Sequence, residues 1–107
     1  MTDLESIMLE CHETARDHGF WPDGVFGRNK GEMIALMHSE LSEMLEAVRK
    51  PGPDHHIPNL PNEAVEAADL LIRLFDYCYG FNIPVLQALE SKMEFNKHRP
   101  HKHGKAF

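Results

Sequence analysis

Apolar residues recur at helical spacing in three stretches of the chain. Leu4, Ile7, Met8, Cys11 and Ala15 form one stripe, and Ile34, Met37, Leu41, Met44, Leu45 and Val48 form another. Val65, Ala67, Ala68, Leu70, Leu71, Ile72, Leu74, Phe75 and Cys78 cover well over half the circumference of a third helix. The first helix is expected over Leu4 to His18, with Thr2 and Glu5 as a capping box and Gly19 as the stop. The second is expected over Lys30 to Arg49. The third starts at Asn62 as N-cap and ends at Gly80 as the residue beyond the helix. The fourth starts at Asn82, accepts Pro84 in its first turn, and stops near His98, before Pro100. No strand alternation competes, so the fold class is all-α, a four-helix arrangement in a single domain.

Two segments break the pattern. Residues 19–29 (GFWPDGVFGRN) hold three glycines and a proline together with Phe20, Trp21 and Phe26. Such aromatics either fold back over a core, the favoured reading, or offer a stacking surface to a base. Trp21, and Lys30 just after the loop, are candidate substrate contacts. Residues 50–62 (KPGPDHHIPNLPN) hold four prolines and form a long loop or extended segment.

Charge narrows the function classes. The net charge is −6, which argues against nucleic acid as the main partner. Residues 92–107 carry +4 and residues 1–91 carry −10, so an acidic body precedes a basic tail. No apolar stretch approaches the ~20 residues needed to cross a bilayer. No secretory leader is visible after Met1, and the expected location is the cytoplasm. Cys11 and Cys78 fall on apolar helical positions and are expected to be free thiols. The histidines near the C-terminus (His98, His101 and His103) are not expected to form a dedicated metal site.

The chemistry concentrates on two helices. Glu40 and Glu43 on the second, and Glu66 and Asp69 on the third, are pairs three residues apart and so share a helix face. Two facing pairs put four carboxylates around one point, where they repel unless a cation neutralises them. Hard oxygen ligands suit Mg²⁺ or Mn²⁺. The spacing alone is weak, because Glu10/Glu13, Glu43/Glu46 and Glu63/Glu66 share it. The surroundings strengthen it: Glu40 and Glu43 border the apolar stripe, and Glu66, Asp69, Arg73 and Asp76 form the only polar strip of the third helix. That strip points to a cleft.

The run Gly31-Glu32 through Leu36-Met37-His38-Ser39-Glu40-Leu41-Ser42-Glu43-Met44-Leu45-Glu46-Ala47 resembles the first signature helix of the MazG-like nucleotide pyrophosphohydrolases. Glu66-Ala67-Ala68-Asp69-Leu70-Leu71-Ile72 resembles their second, and Ser91 to Pro100 is similar to their closing element with Lys, Asn and Arg. The likeness spans roughly residues 30–105. One departure is Ser39, where many members carry a second acid. The resemblance implies a Mg²⁺-dependent enzyme that cleaves a nucleoside triphosphate to a monophosphate and pyrophosphate, in a house-cleaning role. It implies that Glu40, Glu43, Glu66 and Asp69 bind the metal, with Glu40 or Glu43 activating water. It implies that Lys92, Asn96 and Arg99 hold phosphate oxygens, and their i, i+4, i+7 spacing places them on one helical face independently. A homodimer or homotetramer is also implied, and the apolar girth of the third helix asks for one in its own right.

Two other readings differ in class. A di-iron carboxylate bundle requires Glu-x-x-His, which is absent from the chain. A non-enzymatic oligomerisation or nucleotide-binding module uses its acids only for solubility.

Overall fold

The computed structural model describes residues 3–107. It contains four α-helices: α1 (Leu4–Asp17), α2 (Lys30–Arg49), α3 (Asn62–Gly80) and α4 (Val85–Lys97), with short 3₁₀ turns at Gly24–Gly27 and His101–Gly104. The only β pairing among the described residues is an isolated bridge between Pro53 and Pro61. The fold is all-α, as the periodicity predicts, and no helix among the described residues is long and apolar enough to cross a membrane. Cys11 and Cys78 are free thiols.

The helix ends show where local chemistry decides. Thr2 of the expected capping box lies outside the described residues. Asp3 caps α1, its side chain accepting from Ser6 N–H at 2.9 Å. At the other end Gly19 adopts φ +84°, and Phe20 and Gly19 N–H donate to the carbonyls of Ala15 and Arg16, a Schellman closure. Asn29 caps α2 through Glu32 N–H at 3.0 Å.

Three expected boundaries shift. Pro61, not Asn62, is the N-cap of α3, and Asn62 N–H instead donates to Gly52 O at 2.8 Å, tying the helix start to the preceding loop. Gly80 is the last helical residue, and the left-handed position belongs to Asn82 at φ +55°. Ile83 and Asn82 N–H then close onto Cys78 and Tyr79 carbonyls. Asparagine tolerates this conformation because its short polar side chain bonds locally. Gly80 is required for space: a Cβ there would overlap the Trp21 ring. Because Asn82 serves that closure, α4 begins only after Pro84.

α3 is the central element, packed on one side by α2 and on another by α1. α2 and α3 run antiparallel, since Glu40 meets Arg73 while Lys30, ten residues earlier, meets Tyr77 and Phe81. The buried apolar side chains are few: Met8, Trp21, Met33, Ala47 and Cys78. On α2 the packed face is Met33, Leu36, Glu40 and Ala47, while Leu41, Leu45 and Val48 of the predicted stripe are more than half exposed. Leu71 and Ile72 of α3 are about half exposed as well. Thus a single chain turns its acid-bearing faces inward and leaves much of its apolar surface uncovered. α4 packs on no other helix to a comparable degree, and its Leu89, Met93 and Phe95 are exposed. The radius of gyration, 16.3 Å, exceeds the roughly 13 Å expected of a compact chain of this length. One chain therefore has four helices but does not close them into a bundle.

Candidate metal centre

α2 supplies Glu40 from its packed face, and α3 supplies Glu66 and Asp69 from the strip turned toward α2. One carboxylate oxygen from each of the three lies within 4.8 Å of the others, and all three residues are half-buried. Glu43, one turn along α2, is exposed and stands at the edge of this group, close enough for its charge to act on Glu66. The structure therefore brings three of the four predicted carboxylates into one cluster and leaves the fourth at its rim.

The electrostatics follow from that crowding. Glu66 is held above the ordinary carboxylate range, first by burial and then by the charges of Asp69, Glu40 and Glu43. Asp69 is also raised, first by burial and then by Glu40, while Arg73 pulls in the opposite direction. The donor set is all hard oxygen, drawn from two rigid helices and short of positive charge, which fits a divalent cation of the Mg²⁺ type.

Two residues complete the surroundings. Arg73 Nε donates to Glu40 Oε1 at 3.0 Å, so one guanidinium offsets part of the acid charge. Its place in the strip Glu66-Asp69-Arg73-Asp76 is legible in the sequence, but its partner is not. Asp54, buried in the loop between α2 and α3, accepts from His56 and Ile57 N–H at 2.9 Å each through Oδ2. These bonds hold its carboxyl below the usual range. Its backbone N–H donates to Leu60 O, and its charge also raises Asp69. An Asp that follows a proline and precedes a tight turn is the available sequence signal for this side chain-to-backbone closure.

A cleft of about 660 Å³ opens beside the cluster, between α1, α2 and α3. Glu40, Asp69, Arg73 and Asp76 line it together with the apolar Ile7, Ala15, Phe20, Met33, Leu36 and Ile72.

The remaining candidates are placed differently. Trp21 is buried, 7% exposed, and Nε1 donates to Asp76 Oδ1 at 2.8 Å. Its ring packs edge-on against His12 and Phe81, and Arg28 covers it at 5.2 Å. Its face is thus used inside the fold, the core placement favoured for the aromatics of this loop. Lys30 sits at the opposite end of α2 from the carboxylates, its ammonium over the Phe81 and Tyr77 rings at 4.9 and 5.8 Å. About 15 Å of helix separates it from Glu40, so it does not touch the carboxylate cluster. Lys92 and Arg99 flank Phe95 at 4.7 and 5.5 Å, Lys92 from within α4 and Arg99 from beyond its end at Lys97. Asn96 lies between them with a buried Oδ1 that meets no donor. None of these three residues lines the cleft of its own chain.

Comparison with family models, with curated proteins and with solved structures gave no match.

Proposed function

We propose that this chain is a Mg²⁺-dependent nucleoside triphosphate pyrophosphohydrolase of the all-helical MazG-like type, working as a homo-oligomer in the cytoplasm. The observation that carries the reading is the convergence of Glu40, Glu66 and Asp69 within 4.8 Å at the side of a cleft large enough for a nucleotide. A solvated acidic face does not require carboxylates from two helices to half-bury themselves against one another, since that arrangement costs stability without a cation.

Glu40, Glu66 and Asp69 would hold the metal, with Mn²⁺ as an alternative ion, and Glu43 stands where it can join them. A bound Mg²⁺ would supply positive charge against the triphosphate oxygens as the phosphoanhydride bond breaks. Glu43, exposed at the rim, is the acid best placed to take a proton from an attacking water. Arg73 keeps Glu40 fixed. Lys92, Asn96 and Arg99 reach no carboxylate within one chain, so their phosphate-holding role would come from α4 of a second copy. The charges match, because the basic segment 92–107 has its complement in the acidic body. The uncovered apolar faces of α2, α3 and α4 give that second copy a surface to bury.

The same uncovered surface also supports the second reading, a helical assembly module without catalysis. Pyrophosphate release from a panel of triphosphates, with and without Mg²⁺, separates the two. The enzyme releases pyrophosphate only with the metal, and the assembly module releases none.

A further inference from the structure

Asp76 is the one acid of the α3 strip that the metal site does not use. It is 8% exposed, and Oδ1 accepts from both His12 Nδ1 at 2.9 Å and Trp21 Nε1 at 2.8 Å. Two donors occupy both lone pairs of that oxygen. Among the described residues no protein donor is directed at Oδ2, and Oδ2 is not among the side-chain atoms fully sealed from solvent. The residue lines the cleft, so its carboxylate is a polar group in an otherwise largely apolar recess. A carboxylate with one oxygen pinned and the other offered to a cavity is an acceptor built for a ligand's N–H.

Position gives the ligand its orientation. Asp69 and Asp76 are seven residues apart on one face of α3, about 10 Å along its axis. A nucleoside laid along the cleft fits this interval, with its phosphates at the Asp69 end and its base toward Asp76. The apolar walls, Phe20 and Ile72 among them, suit the faces of a flat ring.

We infer that Asp76 is a specificity-determining residue whose free oxygen selects a nucleobase carrying an exocyclic amine. The inference rests on the nucleotide reading of the neighbouring carboxylates. An amino group donates to Oδ2, whereas a carbonyl oxygen at the same place meets an acceptor with no proton between them, and a polar pair left unpaired once the ligand excludes water discriminates strongly. Cytosine is therefore favoured over uracil, and adenine over hypoxanthine.

The test uses Asp76→Asn in the full chain. The amide oxygen can keep the His12 and Trp21 bonds while an NH₂ replaces Oδ2, so the fold is retained and the recognition is reversed. Two readouts are paired. The first is kcat/KM for cytosine against uracil triphosphates and for adenine against hypoxanthine triphosphates with Mg²⁺. The wild type should prefer the amino-bearing member of each pair by at least about tenfold, and Asp76→Asn should remove or invert that preference. The second is fluorescence of Trp21, the only tryptophan in the chain, on titration with cytidine and uridine monophosphates. Its indole N–H shares Oδ1 of the same carboxylate, so a base docked on Oδ2 shifts its emission. A fluorescence response selective for cytidine monophosphate that is lost in Asp76→Asn, with no triphosphate hydrolysis, keeps this inference and rejects the enzyme reading. Hydrolysis with equal rates for both members of each pair, or a preference unchanged in Asp76→Asn, overturns the inference and leaves the enzyme reading standing. Absence of both hydrolysis and a fluorescence response overturns both.

Discussion

Arg73 reaches from α3 to Glu40 on α2, Nε to Oε1 at 3.0 Å, and in doing so places a cation beside three carboxylates that repel one another. The pair is partly exposed, so its direct worth is about 1 kcal/mol or less. Arg73→Gln should therefore lower the melting temperature of the metal-free protein by a few degrees, about 5 °C at most. It should also enlarge the stabilisation gained on adding Mg²⁺, since the cluster is then left with less neutralisation. Thermal melts with and without Mg²⁺ check this; an unchanged Mg²⁺ shift would detach Arg73 from the site.

Glu66 and Asp69 are both raised above the ordinary carboxylate range. For such an acid the folded state binds more protons than the unfolded chain between the ordinary value, about 4, and the raised one. Stability contributed by these groups is thus present at low pH and is lost as pH rises through that window. In the absence of divalent cations the wild type should lose melting temperature relative to Asp69→Asn as pH climbs from about 4 toward neutrality. Saturating Mg²⁺ should reverse the order, because only the wild type retains the full ligand set. A difference between the two proteins that does not move with pH would contradict the crowding.

Gly80 lies against Trp21. On helix propensity alone Gly80→Ala should stabilise α3 by about 1 kcal/mol. The overlap of the new Cβ with the buried indole reverses the sign, and a net destabilisation of about 1–3 kcal/mol is expected in chemical denaturation. Trp21→Phe should cost stability as well, through the lost bond to Asp76 and the smaller ring. A stabilised Gly80→Ala protein would mean that the loop carrying Trp21 does not pack as described.

The uncovered faces of α2, α3 and α4 predict at least a dimer in solution at micromolar concentration, read by light scattering. Truncation after Asn96 removes Lys97, Arg99, Lys102 and Lys105. If these cations hold phosphate, KM rises and the salt dependence of kcat/KM weakens. If they serve only assembly, the oligomer and melting temperature change while the folded fraction keeps its KM. Arg99→Lys should fail to restore full affinity where the contact is bidentate.

The first three helices were legible from their apolar repeats and the fourth from the breakers at its ends, and α2 matches its expected bounds residue for residue. Gly80 and Asn82 exchanged roles because a glycine near a helix end carries the same signal whether it serves backbone freedom or close approach of a distant ring. The inward turn of Glu40 was readable from its place at the border of the stripe. The outward turn of Leu41 and Leu45 was not, since periodicity locates an apolar face without saying which neighbour covers it. Trp21 and Asp76 lie 55 residues apart, and their hydrogen bond follows from tertiary packing that no local spacing encodes. Lys92 and Asn96 lie on α4 as expected, but the helix ends at Lys97, so Arg99 leaves the i, i+4, i+7 face that the spacing implies.

The most direct test of the central claim is product analysis of a nucleoside triphosphate incubated with the purified chain and Mg²⁺, run beside Glu43→Gln and Asp69→Asn. Pyrophosphate and monophosphate should appear together as primary products, disappear when Mg²⁺ is chelated, and fall by about 100-fold or more in both variants. Diphosphate with orthophosphate as primary products, or turnover that persists near the wild-type rate in either variant, would contradict it.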